Sequence, residues 1–273
     1  MAATAAPTRL GDAVIGAGLL AGSANVIMQL AHPSVGYGVY ESRVDSGNLF
    51  KHPVKRSRTT VTYLAVVALG TDEERAAYRK AVNVAHAQVR STGSSPVSYN
   101  AFDPKLQLWV AACLYRGFED VYEAFVGPLA PERAEEIYRH SSVLGTTLQV
   151  TEDMWPADRQ AFEEYWTGAL AEISIDDTVR EYLMGVADLK FLPGFVSRAL
   201  GPVNRFVTTG FLPGVFREQM KLGWTPRDER RFDRLLKAIG LAVRLSPRPV
   251  REFPFNAYLW DLRRRLRTGR PLV

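Results

Sequence analysis

The sequence predicts an all-α protein that folds as a single globular domain. Segments that begin at a typical N-cap residue and continue with apolar residues at helical spacing recur along the 273 residues. No segment shows the convincing apolar–polar alternation of a half-buried strand. The chain is 47% hydrophobic, which is enough for a sizeable core, and its length fits one domain. We therefore expect about ten helices and no sheet of consequence.

The individual helices are predicted from their start and stop signals. Proline or an Asp or Thr N-cap opens most of them, and Gly70 closes the second. They are expected at 14–31, 51–69, 72 to near Gly93, 104–125, 131–144, 156–173, 178–189, 226–243 and 256–266. The run between Leu192 and Pro213 is rich in glycine and proline, and it is predicted to be an irregular crossing loop or pocket rim.

The domain is expected to span residues 12–260, between an N-terminal tail (1–11) and a basic C-terminal tail (261–273). The apolar run Val14–Ala31 is predicted to be a buried helix rather than a signal peptide or a transmembrane span. Polar residues interrupt it, and Arg9 is the only basic residue before it. The net charge of +5 comes with no nucleic-acid motif, so we expect no nucleic-acid partner. The single cysteine fits a cytoplasmic protein, and peripheral contact with a membrane stays open.

His86 is the first candidate for a ligand. It shares a face with Val82 and Val89 on a helix that starts at Thr71, where Glu74 completes a capping box. A neutral imidazole on a rigid apolar helix is a strong ligand for a metal or for haem iron. The pattern also fits a core histidine with an ordinary hydrogen bond, and spacing alone favours that interpretation.

A second group of candidates lies on the preceding helix. Arg56, Thr60 and Tyr63 share one stripe, and Thr59 flanks it. The polar groups of this apolar helix are therefore concentrated at one end. That end lines a pocket or is a solvated helix start, and the sequence leaves both interpretations open.

The other histidines are weaker candidates. His32 follows an apolar helix, where it is either a second ligand or a capping residue. His52 precedes a proline in a polar loop and is expected at the surface. His140 is expected at a helix surface or at the edge of the core.

Several other site types are excluded by spacing. The residues three positions before His86 and His140 are Asn83 and Ile137, so the Glu-x-x-His pair of di-iron proteins is missing. His-Glu-x-x-His, Gly-x-Ser-x-Gly, a phosphate-binding glycine loop and Cys-x-x-Cys-His are missing as well. Four histidines that lie far apart suit a single axial ligand better than a three-ligand cluster.

Four short motifs follow one another along the chain. They are Leu30-Ala31-His32-Pro33 with Gly36 and Val39, Arg56-x-x-Thr59-Thr60, Val82-x-x-x-His86 with Gly93, and Tyr99-x-Ala101-x-Asp103-Pro104 with Trp109. Their order and separations over residues 12–190 resemble the MpaB-like oxygenase family. That family shares its catalytic domain with latex clearing protein, a rubber oxygenase.

The resemblance implies an all-helical domain that encloses a pocket for non-covalently bound b-type haem. The axial histidine of the rubber-cleaving members falls on His86, and their distal arginine and Lys-Thr pair fall on Arg56, Thr59 and Thr60. The further cofactor contacts are expected from His32, Tyr63, Val82 and Arg90, with Arg79 as an alternative propionate partner.

The predicted function is therefore that of a haem-dependent oxygenase, with dioxygen and a lipophilic small molecule as substrates. Arg56 would stabilise the negative charge that develops on dioxygen, helped by a hydroxyl of Thr59 or Thr60. Glu41 or Asp45 lies where the rubber enzymes carry a carboxylate base.

One residue departs from the family pattern. Thr59 replaces a lysine that can ligate iron, which argues against polyisoprene as substrate. Two alternatives stay open: a haem-binding sensor or carrier without turnover, and a haem-free helical interaction protein.

Overall fold

The computed structural model describes residues 9–273, and these residues contain helices and connecting segments but no β-strand. The α-helices, in chain order, are α1 (Gly22–Leu30), α2 (Pro33–Tyr40), α3 (Pro53–Leu69), α4 (Asp72–His86), α5 (Pro104–Phe125), α6 (Pro131–Arg139), α7 (Val143–Thr146), α8 (Arg159–Ala169), α9 (Asp177–Ala187), α10 (Gly194–Phe211), α11 (Gly214–Gln219), α12 (Pro226–Leu245), α13 (Arg248–Glu252) and α14 (Phe255–Thr268). The all-α prediction is confirmed.

Short 3-10 turns join several of these helices. They lie at Leu10–Ala13, Gly16–Ala21, Asp45–Gly47, His140–Ser142, Glu152–Met154 and Leu170–Glu172. None of the helices in residues 9–273 is both long enough and apolar enough to span a membrane.

The main core lies around α1 and α5, which pack against each other in the middle of the domain. Ile27 of α1 and Ala112 of α5 are fully buried there, together with Tyr138, Phe162 and Leu183 from later helices. A second cluster joins α3 to α14 and a third joins α5 to α12. The described residues form one globular domain in which α3 and α4 lie towards the α14 side.

Helix starts follow the predicted capping residues. Thr71 and Glu74 form the capping box of α4, and Asp103 accepts a hydrogen bond from the Lys105 amide at the start of α5. Asp176 caps α9 in the same way. These signals involve residues next to each other in the chain, so they can be predicted without knowledge of tertiary contacts.

The N-terminal segment differs from the prediction. Val14–Ala31 is not one helix, because the α-helix begins only at Gly22 and a 3-10 turn precedes it. A Cβ added to Gly16 would lie 1.6 Å from the carbonyl oxygen of Phe253. The glycines here allow the chain to pass against distant backbone, and this close approach replaces regular helix. Leu10 of the expected N-terminal tail is buried in the main core.

The segment predicted as an irregular loop is helical. Residues 194–211 form α10, with Pro202 inside the helix. A Cβ on Gly201 would lie 2.6 Å from the carbonyl oxygen of Asp188, and the Ser197 hydroxyl donates to the same oxygen. Gly201 therefore allows α10 to pack closely against the end of α9. The sequence pattern had indicated a break in helical structure at this position.

Two other helix ends differ as well. The predicted helix over 131–144 is divided into α6, a 3-10 turn and α7. The helix predicted over 256–266 is α14, and it extends to Thr268 through most of the segment expected as the basic C-terminal tail, because Leu262 is buried against α3.

Candidate functional site

His86 is the last residue of α4. The first turn of that helix is fixed by its capping box and by Arg263 of α14, whose guanidinium Nε lies 2.6 Å from the Glu74 carboxylate. About four turns separate this fixed end from His86. The position of the imidazole is therefore set by a helix that is attached to the rest of the domain at its start.

The His86 ring is half-buried and has no hydrogen-bond partner among residues 9–273. Its Nδ1 atom is fully buried without a partner, and the Phe102 ring packs edge-to-face against it with 6.3 Å between centroids. Burial, and secondly the positive charge of Arg56, lower the pKa of His86 to about 4. The imidazole is thus neutral near pH 7, with a nitrogen lone pair free to bind a ligand.

Phe102 reaches His86 because the chain reverses direction after α4. The Ser91 amide donates to the Tyr99 carbonyl at 2.9 Å, and the Ala101 amide donates to the Val89 carbonyl at 2.9 Å. These bonds fix the segment that follows α4 against the segment that precedes α5. Phe102 carries no local sequence signal for this role, since its contact with His86 depends on the chain reversal.

Arg56 lies in the first turns of α3 and is half-buried. Its guanidinium forms no hydrogen bond and no ion pair within the described part of the chain, and burial lowers its pKa. Tyr78 and Tyr182 are the titratable neighbours that raise this pKa. A partly desolvated cation without an anion is unfavourable, so this position fits an anionic group that the chain itself does not supply.

Thr59 and Thr60 both use their hydroxyls within the helix. Each donates to the carbonyl oxygen of Arg56, at 2.9 Å and 3.1 Å respectively. A hydroxyl in this position must rotate before it can donate to a ligand. The two threonines therefore lie beside Arg56, as the sequence predicted, with their protons directed at the backbone.

Tyr63 and Tyr78 attach α3 to its neighbours. The Tyr63 hydroxyl donates to the Leu144 carbonyl at 2.7 Å, and the Tyr78 hydroxyl donates to the Thr59 carbonyl at 2.7 Å. Burial raises the pKa of both phenols. Val82, one turn before His86, packs against the cluster shared by α3 and α14.

A chain of three amide side chains supports the last turn of α4. Gln149 donates from Nε2 to Asn83 Oδ1 at 3.0 Å, and it accepts at Oε1 from Gln107 Nε2 at 2.6 Å. The backbone amide of Gln149 also donates to Gln107 Oε1 at 2.8 Å. Asn83 lies three residues before His86. These hydrogen-bonded amides therefore fix the end of α4 relative to α5, and nothing in the sequence pattern indicated them.

A cleft of about 190 Å³ lies beside the segment that follows His86. Glu41 lines it and accepts hydrogen bonds from the Ser95 and Tyr99 hydroxyls, both at 2.7 Å. Arg90 is exposed at this cleft, and its guanidinium donates to the Ala87 carbonyl at 3.0 Å. Asp45, the other upstream carboxylate, pairs instead with Lys51 and His52.

The other histidines are distributed elsewhere. His32 lies between α1 and α2, and its Nε2 is 3.5 Å from Glu172, while its Nδ1 is buried without a partner. Its ring contact is with Trp109, with 6.4 Å between centroids. His52 and His140 are exposed, as predicted.

The described residues contain no group of three or more His, Cys, Asp or Glu side chains that could hold a metal ion. A surface groove of about 500 Å³ lies at the start of α3 and is lined by His52, Pro53, Val54, Lys55, Arg58 and Arg265. Neither this groove nor the cleft at Glu41 is lined by His86 or Arg56. A large cofactor at His86 would therefore require neighbouring side chains to move.

Comparisons with known proteins identify relatives along most of the chain. The family described as "ER-bound oxygenase mpaB/B'/Rubber oxygenase, catalytic domain" matches residues 11–241. Uncharacterized protein Mb2261 of Mycobacterium bovis and uncharacterized protein Rv2237 of Mycobacterium tuberculosis are each 58% identical over 255 residues, which is 93% of this chain and all of each relative. No solved structure matches the chain significantly.

Proposed function

Because the chain belongs to the family of mpaB and rubber oxygenase catalytic domains, we propose that it is a b-type haem-dependent oxygenase that acts on a lipophilic small molecule. The observation that carries the proposal is that a neutral, unpartnered His86 imidazole lies near a half-buried Arg56 that has no anionic partner in residues 9–273. Haem, when bound, supplies the capacity to bind and activate dioxygen.

The chemistry of the side chains present fits this cofactor, and neighbouring side chains would move to admit it. A single imidazole suffices for iron that brings its own porphyrin ligands, and the free lone pair of His86 satisfies that need. Haem is also anionic through its propionates. Arg56 offers an unpaired positive charge for a propionate or for negative charge that develops during oxygen reduction, and exposed Arg90 is a further propionate partner.

The other predicted site residues take supporting roles in this proposal. Tyr63 joins α3 to α7, and Val82 packs one turn before His86 on the cluster shared by α3 and α14, so both would support the helices that carry Arg56 and His86. Thr59 or Thr60 would turn its hydroxyl from the Arg56 carbonyl towards the reacting oxygen. His32 is the second ligand candidate because its Nδ1 is buried without a partner.

Glu41 is the better of the two carboxylate candidates for accepting a proton from substrate. It lies in the cleft beside the segment that follows His86, and its hydrogen bonds to Ser95 and Tyr99 hold it in place. A lipophilic substrate smaller than polyisoprene is proposed, because Thr59 stands where rubber-cleaving relatives carry lysine. A threonine hydroxyl is a poor ligand for haem iron.

The test is the absorption spectrum of the protein expressed with a supply of haem. The wild-type protein should show a Soret band, and His86→Ala should lose it while the circular dichroism spectrum stays helical. His140→Ala is the matched control, since His140 is exposed. Stoichiometric haem with an unchanged spectrum in His86→Ala would contradict the assignment, and His32→Ala would then be measured.

Oxygen consumption with lipophilic substrates separates turnover from binding alone. Arg56→Ala should retain haem and reduce turnover by about 10²–10³-fold, which is typical for the loss of one preorganised donor. A Soret band without oxygen consumption would indicate a haem sensor or carrier. The absence of any Soret band would indicate a haem-free interaction protein.

A further inference from the structure

The last part of the chain carries an excess of positive charge. Residues 226–273 contain thirteen lysine or arginine residues and five aspartate or glutamate residues, a net charge of +8. The whole chain has a net charge of +5, so the residues before 226 are net negative. The basic character of the protein is therefore concentrated in α12, α13, α14 and the segment after them.

The same part exposes large apolar side chains. Leu241, Leu245, Val250, Phe253 and Trp260 are each more than half exposed. They follow one another from the second half of α12 through α13 to α14. We call these five residues the apolar edge. All but Leu241 lie beyond residue 241, where the match to the oxygenase family ends.

Helix α14 has an apolar side that packs and another that does not. Phe255, Leu259 and Leu262 are buried against α3. The opposite stripe carries exposed Trp260 and continues at helical spacing with Arg264 and Arg267, and exposed Phe253 lies just before the helix. The exposed side is thus aromatic up to Trp260 and cationic towards the end of the helix.

Local contacts support the part of the edge on α13 and α14. The Arg264 guanidinium lies over the Trp260 ring, 5.6 Å from its centroid. The Asn256 side chain donates to the Pro249 carbonyl at 2.8 Å and so ties α13 to the start of α14. Further along, Arg267 and Arg270 form no ion pair within residues 9–273. Unpaired arginines beside exposed aromatic residues are an arrangement that binds anionic lipid surfaces.

We propose that the apolar edge docks this domain on the surface of a membrane that contains anionic lipid. The aromatic and aliphatic tips would enter the boundary between headgroups and acyl chains, while the surrounding arginines contact lipid phosphates. Charge complementarity favours an anionic membrane as the partner, because basic residues outnumber acidic ones in the part of the chain that carries the exposed apolar side chains. The proposal does not depend on haem or on turnover.

The test is flotation of the purified protein with lipid vesicles. The protein should bind vesicles of phosphatidylcholine mixed with phosphatidylglycerol and bind weakly to phosphatidylcholine alone. Trp260→Gln should lower the partition coefficient about tenfold, which corresponds to about 1.4 kcal/mol. Arg267→Gln combined with Arg270→Gln should lower it by a similar factor at low salt and by less at high salt.

Phe195→Ser on α10 is the matched control, since Phe195 is also exposed but lies outside the edge. It should leave vesicle binding unchanged. Failure of the wild-type protein to float with anionic vesicles would overturn the proposal, as would equal binding to neutral vesicles or equal losses from Phe195→Ser and Trp260→Gln. If Trp260→Gln converts a dimer to a monomer in light scattering while vesicles are not bound, the edge is a self-association surface and the proposal is wrong.

Discussion

The ring of His86 should make the folding stability of the haem-free protein depend on pH. Its folded-state pKa of about 4 lies below the ordinary value of 6.5, mainly because of burial. Between these two values the unfolded chain binds a proton at His86 and the folded protein does not. The contribution of His86 to stability is therefore intact above about pH 6.5 and is lost as the pH falls towards about 4.

The size of this loss follows from the two pKa values. One pKa unit corresponds to about 1.4 kcal/mol. For values of about 4 and 6.5, lowering the pH from about 7 to about 5 should remove about 2 kcal/mol of stability. His86→Gln lacks the titrating group, so it should lose about 2 kcal/mol less than the wild-type protein over this range.

Asp120 of α5 acts in the opposite direction. Burial raises its pKa from 3.8 to about 7, against the lowering effect of Arg116. The folded protein therefore takes up a proton at Asp120 before the unfolded chain does, and stability rises as the pH falls from about 7 towards 3.8. The gain from about pH 7 to about pH 5 is also about 2 kcal/mol, so the two groups nearly cancel in the wild-type protein.

Urea denaturation at several pH values separates the two contributions. Free energies of unfolding would be measured by circular dichroism for the wild-type protein, His86→Gln and Asp120→Asn. The difference between His86→Gln and wild type should grow as the pH falls, and the difference for Asp120→Asn should change with the opposite sign. A His86→Gln difference that stays constant within about 0.5 kcal/mol from about pH 7 to about pH 5 would refute the reasoning about burial of the ring.

Two further predictions concern stability at neutral pH. Arg56→Met should raise the free energy of unfolding of the haem-free protein by about 1 kcal/mol, because it removes a half-buried charge that has no partner in residues 9–273. The control Arg58→Met should change it by less than about 0.5 kcal/mol. A loss of stability in Arg56→Met would mean that the guanidinium has a partner. Gly16→Ala should lower the free energy of unfolding, measured by urea denaturation, by more than about 2 kcal/mol, since its Cβ would overlap the Phe253 carbonyl. Gly22→Ala, whose Cβ meets nothing within 4 Å, should be neutral or slightly stabilising, and equal effects of the two glycine substitutions would contradict the overlap.

The helical fold was predictable because its signals are local. The Thr71–Glu74 capping box and the Asp103 N-cap need only the residues beside them, and both occur where the sequence predicted them. The errors lie where distant parts of the chain decide the structure. Gly16 was expected inside a helix, but it lies in a 3-10 turn that passes against Phe253. Gly201 was expected in an irregular loop, but it lies within a helix packed on Asp188.

The candidate site was predictable to a similar extent. Helical spacing placed Arg56 beside Thr59 and Thr60, and the structure adds that Arg56 lies close enough to His86 to lower its pKa. Phe102 could not be found, because it reaches the ring only after the chain reverses between α4 and α5. The roles of these residues towards haem remain predictions.

The chain of amides behind α4 has a consequence for redesign. Asn83, Gln149 and Gln107 carry no charge and do not titrate, so the support that they give to the last turn of α4 is separate from the protonation state of His86. The protonation state of residue 86 and the position of its backbone can therefore be changed separately. A cysteine or tyrosine introduced at position 86 would be presented from the same scaffold, which makes this position suitable for exchanging one donor side chain for another.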